Sequence, residues 1–132
     1  MDGSLASRIQ AANSSLIAAG EVQAIPDFFT PDYVAHLTEQ DMTGGHVWVR
    51  RFLEMLRGAF PDVGVHVEIL LEGHDRVAWQ RTLRGTHLAD FMGVPPSGRQ
   101  LVWRDMLVSR FEDALIAEEW VISDLAERMM IG

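Results

Sequence analysis

The sequence predicts an α+β fold in which a curved antiparallel sheet wraps around helices and leaves a cavity at its open end. Three observations support this prediction. Apolar residues in the first 60 of the 132 positions recur mainly at helical spacing, those in the rest alternate at strand spacing, and the later strand segments follow one another with no helix between them. Strands that arrive consecutively favour an antiparallel meander over βαβ units. The length fits a single domain over residues 1–132.

The first half of the chain divides into two helices, a short strand and a longer helix. Leu5, Ile9, Ala12 and Leu16 lie at helical spacing over residues 5–19, and Gly20 is a natural helix stop. The segments that follow are a short helix over 21–29, a turn over 30–32, a strand over 33–37, a polar loop over 39–45 and a helix over 46–60.

The second half changes to strand periodicity. Val63, Val65, Val67, Ile69 and Leu71 alternate with mostly polar residues, which is typical of a half-buried strand with its odd positions inward. Further strands are predicted over 76–87, 99–111 and 115–123, with an irregular crossing over 88–98 and a last helical turn or two at the C-terminus.

Composition excludes several classes of chemistry. The chain has 11 basic and 19 acidic residues, a net charge of −8, no cysteine and no lysine. Disulfides, thiolate metal sites, cysteine nucleophiles and Schiff-base lysines are therefore excluded. An acidic composition without a basic run argues against binding to nucleic acid or to an anionic membrane.

Targeting, cofactor and metal signals are not found either. The sequence has neither an apolar run long enough to span a membrane nor a signal-peptide pattern, so we expect a bacterial cytoplasmic protein. No two histidines lie at metal-binding spacing, and no nucleophile elbow is found. We therefore expect no metal and no cofactor.

Four stretches of the second half also resemble a known family. They are Phe60-Pro61-Asp62, residues 83–87 (Leu-Arg-Gly-Thr-His), residues 91–99 (Phe-Met-Gly-Val-Pro-Pro-Ser-Gly-Arg) and Glu118-Glu119-Trp120. On these residues the chain resembles the SnoaL-like polyketide cyclases, also called ester cyclases. The resemblance implies the cone-shaped α+β barrel of nuclear transport factor 2-like proteins. That barrel serves cyclases, hydroxylases, epoxide hydrolases, dehydratases, isomerases and binding modules, so it implies little about the reaction.

The register of the last hairpin decides which side chains meet in the cavity. Pairing about Asp113 predicts that Asp105 lies opposite Val121 and that Leu107 lies opposite Glu119. The even positions of these strands are more polar, so we expect the odd positions to face inward. The predicted inner face carries Trp79, Arg81, Leu83, Trp103, Asp105, Leu107, Ser109, Glu119, Val121 and Ser123.

Asp105 is the catalytic residue that the sequence favours. A buried carboxylate is costly unless it is paired or protonated. Asp105 therefore either pairs with Arg81 or Arg104, or sits in a wet cavity with a shifted pKa as an acid/base. The resemblance implies an acid/base aspartate at the position of Val121 and a polar partner at the position of Leu107, and this chain has neither. Glu119 is expected to be structural or to lie at the rim.

The candidate substrate-binding residues surround Asp105 on the predicted sheet. Arg81 is expected to pair with Asp105 or to orient a ligand, His36 to hydrogen-bond in the pocket, and His87 to fix the crossing segment. The full candidate set is Arg81, His36, Trp79, Trp103, Phe91, Met92, Leu107, Glu119 and Val121, with Phe91 and Met92 as a lid. The outer face, with Arg84, Arg104, Arg110, Glu118 and Trp120, is either solvated or a homodimer interface, and we favour the homodimer.

Two functions follow. The first is a cofactor-free acid/base enzyme that cyclises, isomerises, hydrates or hydrolyses an apolar polyketide- or terpenoid-like molecule. The alternative is a non-catalytic module that binds a hydrophobic ligand or another protein. The carboxylate at Asp105 favours the enzyme, and the absence of an acid at Val121 favours the module.

Overall fold

A computed structural model describes residues 4–38 and 40–131 and confirms the α+β fold. The helical elements are α1 (Leu5–Ala12), a π-helix that continues it (Asn13–Ala18), a 3-10 helix (Val22–Asp27), α2 (Gly45–Ala59) and α3 (Leu125–Met130). The strands are β1 (Phe29–His36), β2 (Asp41–Met42), β3 (Gly64–Glu72), β4 (Arg76–Thr86), β5 (Gln100–Glu112) and β6 (Leu115–Ser123). No described helix combines the length and the apolar character that a membrane crossing requires.

One curved, open sheet contains all six strands in the order β2-β1-β6-β5-β4-β3. The predicted meander is confirmed, because β3 to β6 pair in sequence and antiparallel. The sheet as a whole is mixed, since β1 runs parallel to β6. Parallel pairing needs a long crossover, and here α2 and four strands separate β1 from β6.

The predicted turn over residues 30–32 is wrong, because these residues belong to β1. Pro31 cannot donate to the sheet, and the pairing of β1 with β6 shifts register between Phe29 and Val34. An irregular stretch of this kind is where a strand tolerates proline. The predicted polar loop contains the two residues of β2, and its position 39 lies outside the described residues.

The predicted register of the last hairpin is also wrong. Asp105 lies opposite Ser123, Leu107 opposite Val121, and Ser109 opposite Glu119. The turn has two residues, because Glu112 pairs with Leu115, and a bulge near Arg110 then adds one residue to β6. The combined offset is two residues, so the odd positions that follow the bulge still face inward.

The core lies between the inner face of the sheet and the helices. α2 buries Val49, Leu53 and Leu56, and α1 buries Ile9 and Ala12. The edge strand β3 departs from the predicted alternation at its end. A bulge after Ile69 turns Leu71 outward, where it is 71% exposed, so its predicted inward position is wrong.

The crossing between β4 and β5 folds back onto the sheet. His87 and Phe91 are buried there, and the rings of both lie against Phe60, with centroid distances of 5.2 and 5.9 Å. The His87 amide donates to the Arg99 carbonyl, and the Gly98 amide donates to the His87 carbonyl. These backbone bonds close the loop, and the buried ring nitrogens of His87 have no hydrogen-bond partner among the described residues.

Candidate functional site

A cavity of about 70 Å³ lies between the helices and the inner face of the sheet. Its wall is mostly apolar, with a few polar side chains on the sheet side. The lining residues are Ile9, Ala12, Asn13, Leu16, Ile17, Phe29, Tyr33, Trp48, Val49, Phe52, Leu53, Trp79, Arg81, Leu107, Ile116, Glu119 and Val121.

Three rows of directly paired residues build the sheet side of the cavity. The first row joins Arg81 to Asp105, and the second joins Trp79, Leu107 and Val121. The third row joins Ser109 to Glu119. Side chains opposite one another on adjacent strands are close enough to interact, so the corrected register decides which polar groups meet.

Glu119 is a buried carboxyl held by two hydroxyl groups. The Tyr33 hydroxyl donates to Oε1 at 2.6 Å, and the Ser109 hydroxyl donates to Oε2 at 2.5 Å. The Glu119 residue is 6% exposed, and burial raises the pKa of its carboxyl above its usual value although the two hydrogen bonds oppose the shift. Burial, followed by the nearby charge of Glu119, also raises the pKa of Tyr33 well above its usual value.

A tryptophan fixes the direction of this hydrogen-bond chain. Trp79 Nε1 lies 2.9 Å from Ser109 Oγ, and an indole N–H can only donate. Ser109 therefore accepts from Trp79 and has its own proton available for Glu119. We call Trp79, Ser109, Glu119 and Tyr33 the Glu119 network.

Arg81 lies beside this network and is held by two partners. Its Nε donates to Asp105 Oδ2 at 2.8 Å, and its Nη1 donates to Asn13 Oδ1 at 2.9 Å. Asn13 begins the π-helix and is fixed in turn by donating to the Ile9 carbonyl. Asp105 Oδ1 is buried with no hydrogen-bond partner among the described residues. Arg81 is thus anchored from both the sheet and the N-terminal helix.

The structure brings together five of the predicted site residues. Trp79, Arg81, Leu107, Glu119 and Val121 all line the cavity. Asp105 does not line it and instead contacts it through Arg81, which realises the predicted ion pair. Of the two expectations for Glu119, a structural role or a place at the rim, the rim position is wrong, because the residue lies in the interior.

Four other predicted residues lie away from the cavity. Trp103 packs on Phe60 at a centroid distance of 4.8 Å, beside the buried Phe91, and Met92 is 73% exposed. His36 lies outside the cavity lining, where its ring stacks on Trp120.

His36 forms an outer network instead. Its Nδ1 is 2.7 Å from Asp41 and its Nε2 is 2.6 Å from Glu118. The hydrogen bond with Glu118, followed by that with Asp41, raises the pKa of His36. This cluster links β1, β2 and β6 without reaching the cavity.

Several residues of the site were absent from the predicted set. Asn13 and Tyr33 supply polar atoms, while Trp48 and Phe52 stack on one another at a centroid distance of 5.6 Å along α2. The i,i+4 spacing of Trp48 and Phe52 on one helix face was an available signal. Asn13 follows Ile9 by four residues and therefore lies on the same helical face, but as a polar residue it does not contribute to the apolar spacing.

No metal centre can be built from these residues. Within residues 4–38 and 40–131, no three histidine or acidic side chains are grouped to hold a metal ion. The polar groups of the cavity can donate or accept protons and hydrogen bonds.

Comparisons with known proteins agree with this architecture. The family model of SnoaL-like polyketide cyclases matches residues 7–130. A proposed SnoaL-like polyketide cyclase from Jannaschia sp. CCS1 is 25% identical with a TM-score of 0.83, and the match covers 95% of this chain and 88% of that chain. Comparison with curated proteins gave no match.

Two solved Streptomyces structures are also similar. AclR from Streptomyces galilaeus, a proposed hydroxylase, is 29% identical with a TM-score of 0.74, and the match covers 96% of this chain and 97% of that chain. IdmH from Streptomyces antibioticus, a proposed polyketide cyclase, is 32% identical with a TM-score of 0.72, and the match covers 95% of each chain. With the family model matching nearly the whole chain, the protein belongs to the SnoaL-like polyketide cyclase family.

Proposed function

We propose that this protein is a cofactor-free acid/base enzyme acting on a small apolar, polyketide-like molecule, with Glu119 as the proton-transfer group. The observation that supports this proposal is a buried carboxyl, that of Glu119, which lines a mostly apolar cavity and is held by two hydroxyls. A general acid or base works best when its pKa lies near the working pH, and burial shifts Glu119 upward toward that range. Family membership supports a cyclase-type role.

The proposal gives Asp105 a different role from the one that the sequence favoured. Its Oδ2 is engaged by Arg81 at 2.8 Å, and its side chain does not line the cavity. Asp105 then acts as a positioning residue that holds Arg81, while Glu119 contacts the ligand. The two assignments predict different effects for substitutions at 105 and 119, so they can be separated.

The apolar wall would orient the ligand against Glu119. Trp79 and Trp48 offer aromatic surface, and Leu107 and Val121 offer aliphatic surface. When protonated, Glu119 can give its proton to a carbonyl, alkene or epoxide. When ionised, it can remove a proton from an acidic C–H bond. Tyr33 and Ser109 can donate to the carboxylate that remains after the proton has left.

Cavity size limits the substrate. Ligand pockets for drug-sized molecules usually measure about 300–1,000 Å³. A cavity of about 70 Å³ holds only part of such a molecule. We therefore propose that larger substrates enter by displacing Trp48 and Phe52 on α2, which belong to the helix side of the wall.

Substitution of Glu119 by glutamine tests the catalytic assignment. We expect Glu119→Gln to fold and to lose turnover by about 100-fold or more, because the amide cannot exchange the proton. Substrates would first be found by thermal-shift screening of aromatic polyketides, terpenoids, lactones and esters. Glu118→Gln is the matched control, because it removes the neighbouring carboxylate on the outer face. Full turnover by Glu119→Gln would contradict the assignment. So would a loss of turnover in Asp105→Asn that Glu119→Gln does not share.

A binding module is the second candidate. The observation that favours it is the apolar pair Leu107–Val121, at positions where the resemblance implies polar and acidic groups. In that case a ligand from the screen would raise the melting temperature of wild type and of Glu119→Gln, and neither would convert it.

We also propose that the outer face of the sheet is a homodimer interface. Val102, Met106 and Ile122 are 45%, 49% and 69% exposed, and all three lie at even positions of the central strands. Clustered exposed apolar residues are typical of an interaction surface.

A further inference from the structure

The Nη2 group of Arg81 has no hydrogen-bond partner among the described residues. Nε and Nη1 of Arg81 are engaged by Asp105 and Asn13. No hydrogen bond is made by its Nη2 within the described part of the chain, and the Arg81 side chain lines the cavity. A guanidinium carries five N–H donors in a fixed plane, and anchoring two of its nitrogens fixes the direction of the third. A ligand in the cavity therefore meets a donor that is already oriented.

The charge around this donor is already balanced. Arg81 and Asp105 form an ion pair in which the two side chains are 12% and 8% exposed. The other titratable groups of the cavity wall are Tyr33 and Glu119, which are both acids. The site is neutral when Glu119 is protonated and has one net negative charge when Glu119 is ionised. A carboxylate ligand would be placed beside Glu119, and Arg81, the one cation among the described residues of the cavity lining, is already paired with Asp105.

We propose that Asp105 determines ligand specificity by neutralising Arg81, so that Arg81 Nη2 binds the oxygen of an uncharged carbonyl compound and the cavity rejects carboxylates. This inference rests on the proposed function for its site and names the class of molecule that the site takes. Specificity of this kind is a difference between the affinities for two ligands. The group that would repel a carboxylate ligand is Glu119, and Asp105 leaves Arg81 with no free charge to offset that repulsion. Asp105 does not touch the ligand and acts through Arg81.

Two probes of nearly equal shape test the proposal. Acetophenone presents an uncharged carbonyl, and benzoate presents a carboxylate on the same ring. We expect wild type to bind acetophenone at least about tenfold more tightly than benzoate, because a carboxylate would enter beside Glu119 with no unpaired cation to receive it. Titrations followed by the ¹H–¹⁵N signals of the arginine side chains would measure both affinities and register the contact at Arg81.

Asp105→Asn should reverse the preference. With its carboxylate removed, Arg81 becomes an unpaired cation beside the cavity, and benzoate should then bind at least about tenfold more tightly than acetophenone. The double variant Arg81→Gln/Asp105→Asn has neither charge and should lose the preference for benzoate. Glu118→Gln is the matched control, since it takes a carboxylate from Arg110 in the same hairpin but on the outer face. That variant should keep the wild-type order.

Each outcome bears on the inference separately from the proposed function. Equal affinities in wild type, no reversal in Asp105→Asn, or no binding of either probe to any variant would overturn the inference. If Asp105→Asn fails to fold, the wild-type comparison still decides, because equal affinities or tighter binding of benzoate to wild type would overturn the inference. A reversal without turnover of any substrate would support the inference and reject catalysis. Loss of turnover in Glu119→Gln, with no reversal of the ligand preference in Asp105→Asn, would support catalysis by Glu119 and reject the inference.

Discussion

At the residue scale, the environment of Glu119 is unusual because two hydroxyls replace the water that its carboxyl loses on folding. Burial of a charged carboxyl without partners costs several kcal/mol. Tyr33 and Ser109 reduce that cost without removing it, so the pKa stays above its usual value. The carboxyl therefore binds a proton in the folded protein over a pH range in which the unfolded chain has released it.

That difference predicts a pH dependence of stability. As pH rises from the usual carboxyl value toward the raised pKa of Glu119, the folded state keeps a proton that the unfolded state has lost, so the free energy of unfolding falls. Glu119→Gln should remove this fall. Urea unfolding of wild type and variant at a series of pH values from 4 upward, on the order of half a unit apart, would measure it.

Glu118 provides a control of opposite sign. Its hydrogen bonds with His36 and Arg110 lower its pKa, so its contribution to stability is present above the usual carboxyl value and is lost as pH falls. Glu118→Gln should therefore leave the fall assigned to Glu119 in place. If Glu119→Gln kept the wild-type slope, another group would be responsible for it.

The sequence predicted some of these residues and missed others for a physical reason. Trp79, Arg81 and Glu119 were placed on the inner face because alternation along a strand is a local property. The partners of Glu119 were not predicted, because its contact with Tyr33 depends on β1 lying parallel to β6. Such pairings depend on the whole fold and leave no periodic signal.

At the element scale, small local features changed which residues meet. One bulge residue in β6 and a two-residue turn moved Glu119 from opposite Leu107 to opposite Ser109. The prediction of inward positions survived, because the two offsets together preserve parity. Asn13, which accepts from Arg81 Nη1, is the first residue of the π-helix that follows α1. Features of this kind are frequent at functional sites.

The start of α2 gives an element-scale prediction about two glycines of one helix. Gly45 has a φ of 58°, and a Cβ at this position would clash with the Pro31 carbonyl oxygen of β1. Gly45→Ala should therefore destabilise the protein by at least about 2 kcal/mol. A Cβ on Gly58 would meet no atom within 4 Å, so Gly58→Ala should stabilise by about 0.5–1 kcal/mol. Thermal unfolding of both variants would test this pair, and equal melting temperatures would contradict it.

At the scale of the whole molecule, the two faces of one sheet have different chemistry. The inner face carries the Glu119 network and the cavity, and the outer face carries His36, Trp120 and the Arg110–Glu118 ion pair. The same strands thus supply both surfaces through alternate residues. A second copy docked on the outer face would leave the inner wall of the cavity in place, so association and ligand binding can be tested independently.

The homodimer predicts that charge placed on the outer face separates the copies. Ile122 is 69% exposed on β6, and Ile122→Arg would put a charge into an interface that must bury about 800 Å² per partner to be stable. Sedimentation velocity should then report a monomer. In a separate thermal-unfolding measurement, this monomer should show the same ligand-induced rise in melting temperature as wild type. Val47→Arg is the matched control, because Val47 is 60% exposed on α2 and its substitution should leave the dimer intact. A dimer that persists in Ile122→Arg but dissociates in Val47→Arg would instead place the interface on the helices. An arginine covered by the partner copy would be a buried, unpaired charge, so the variant that dissociates marks the covered face.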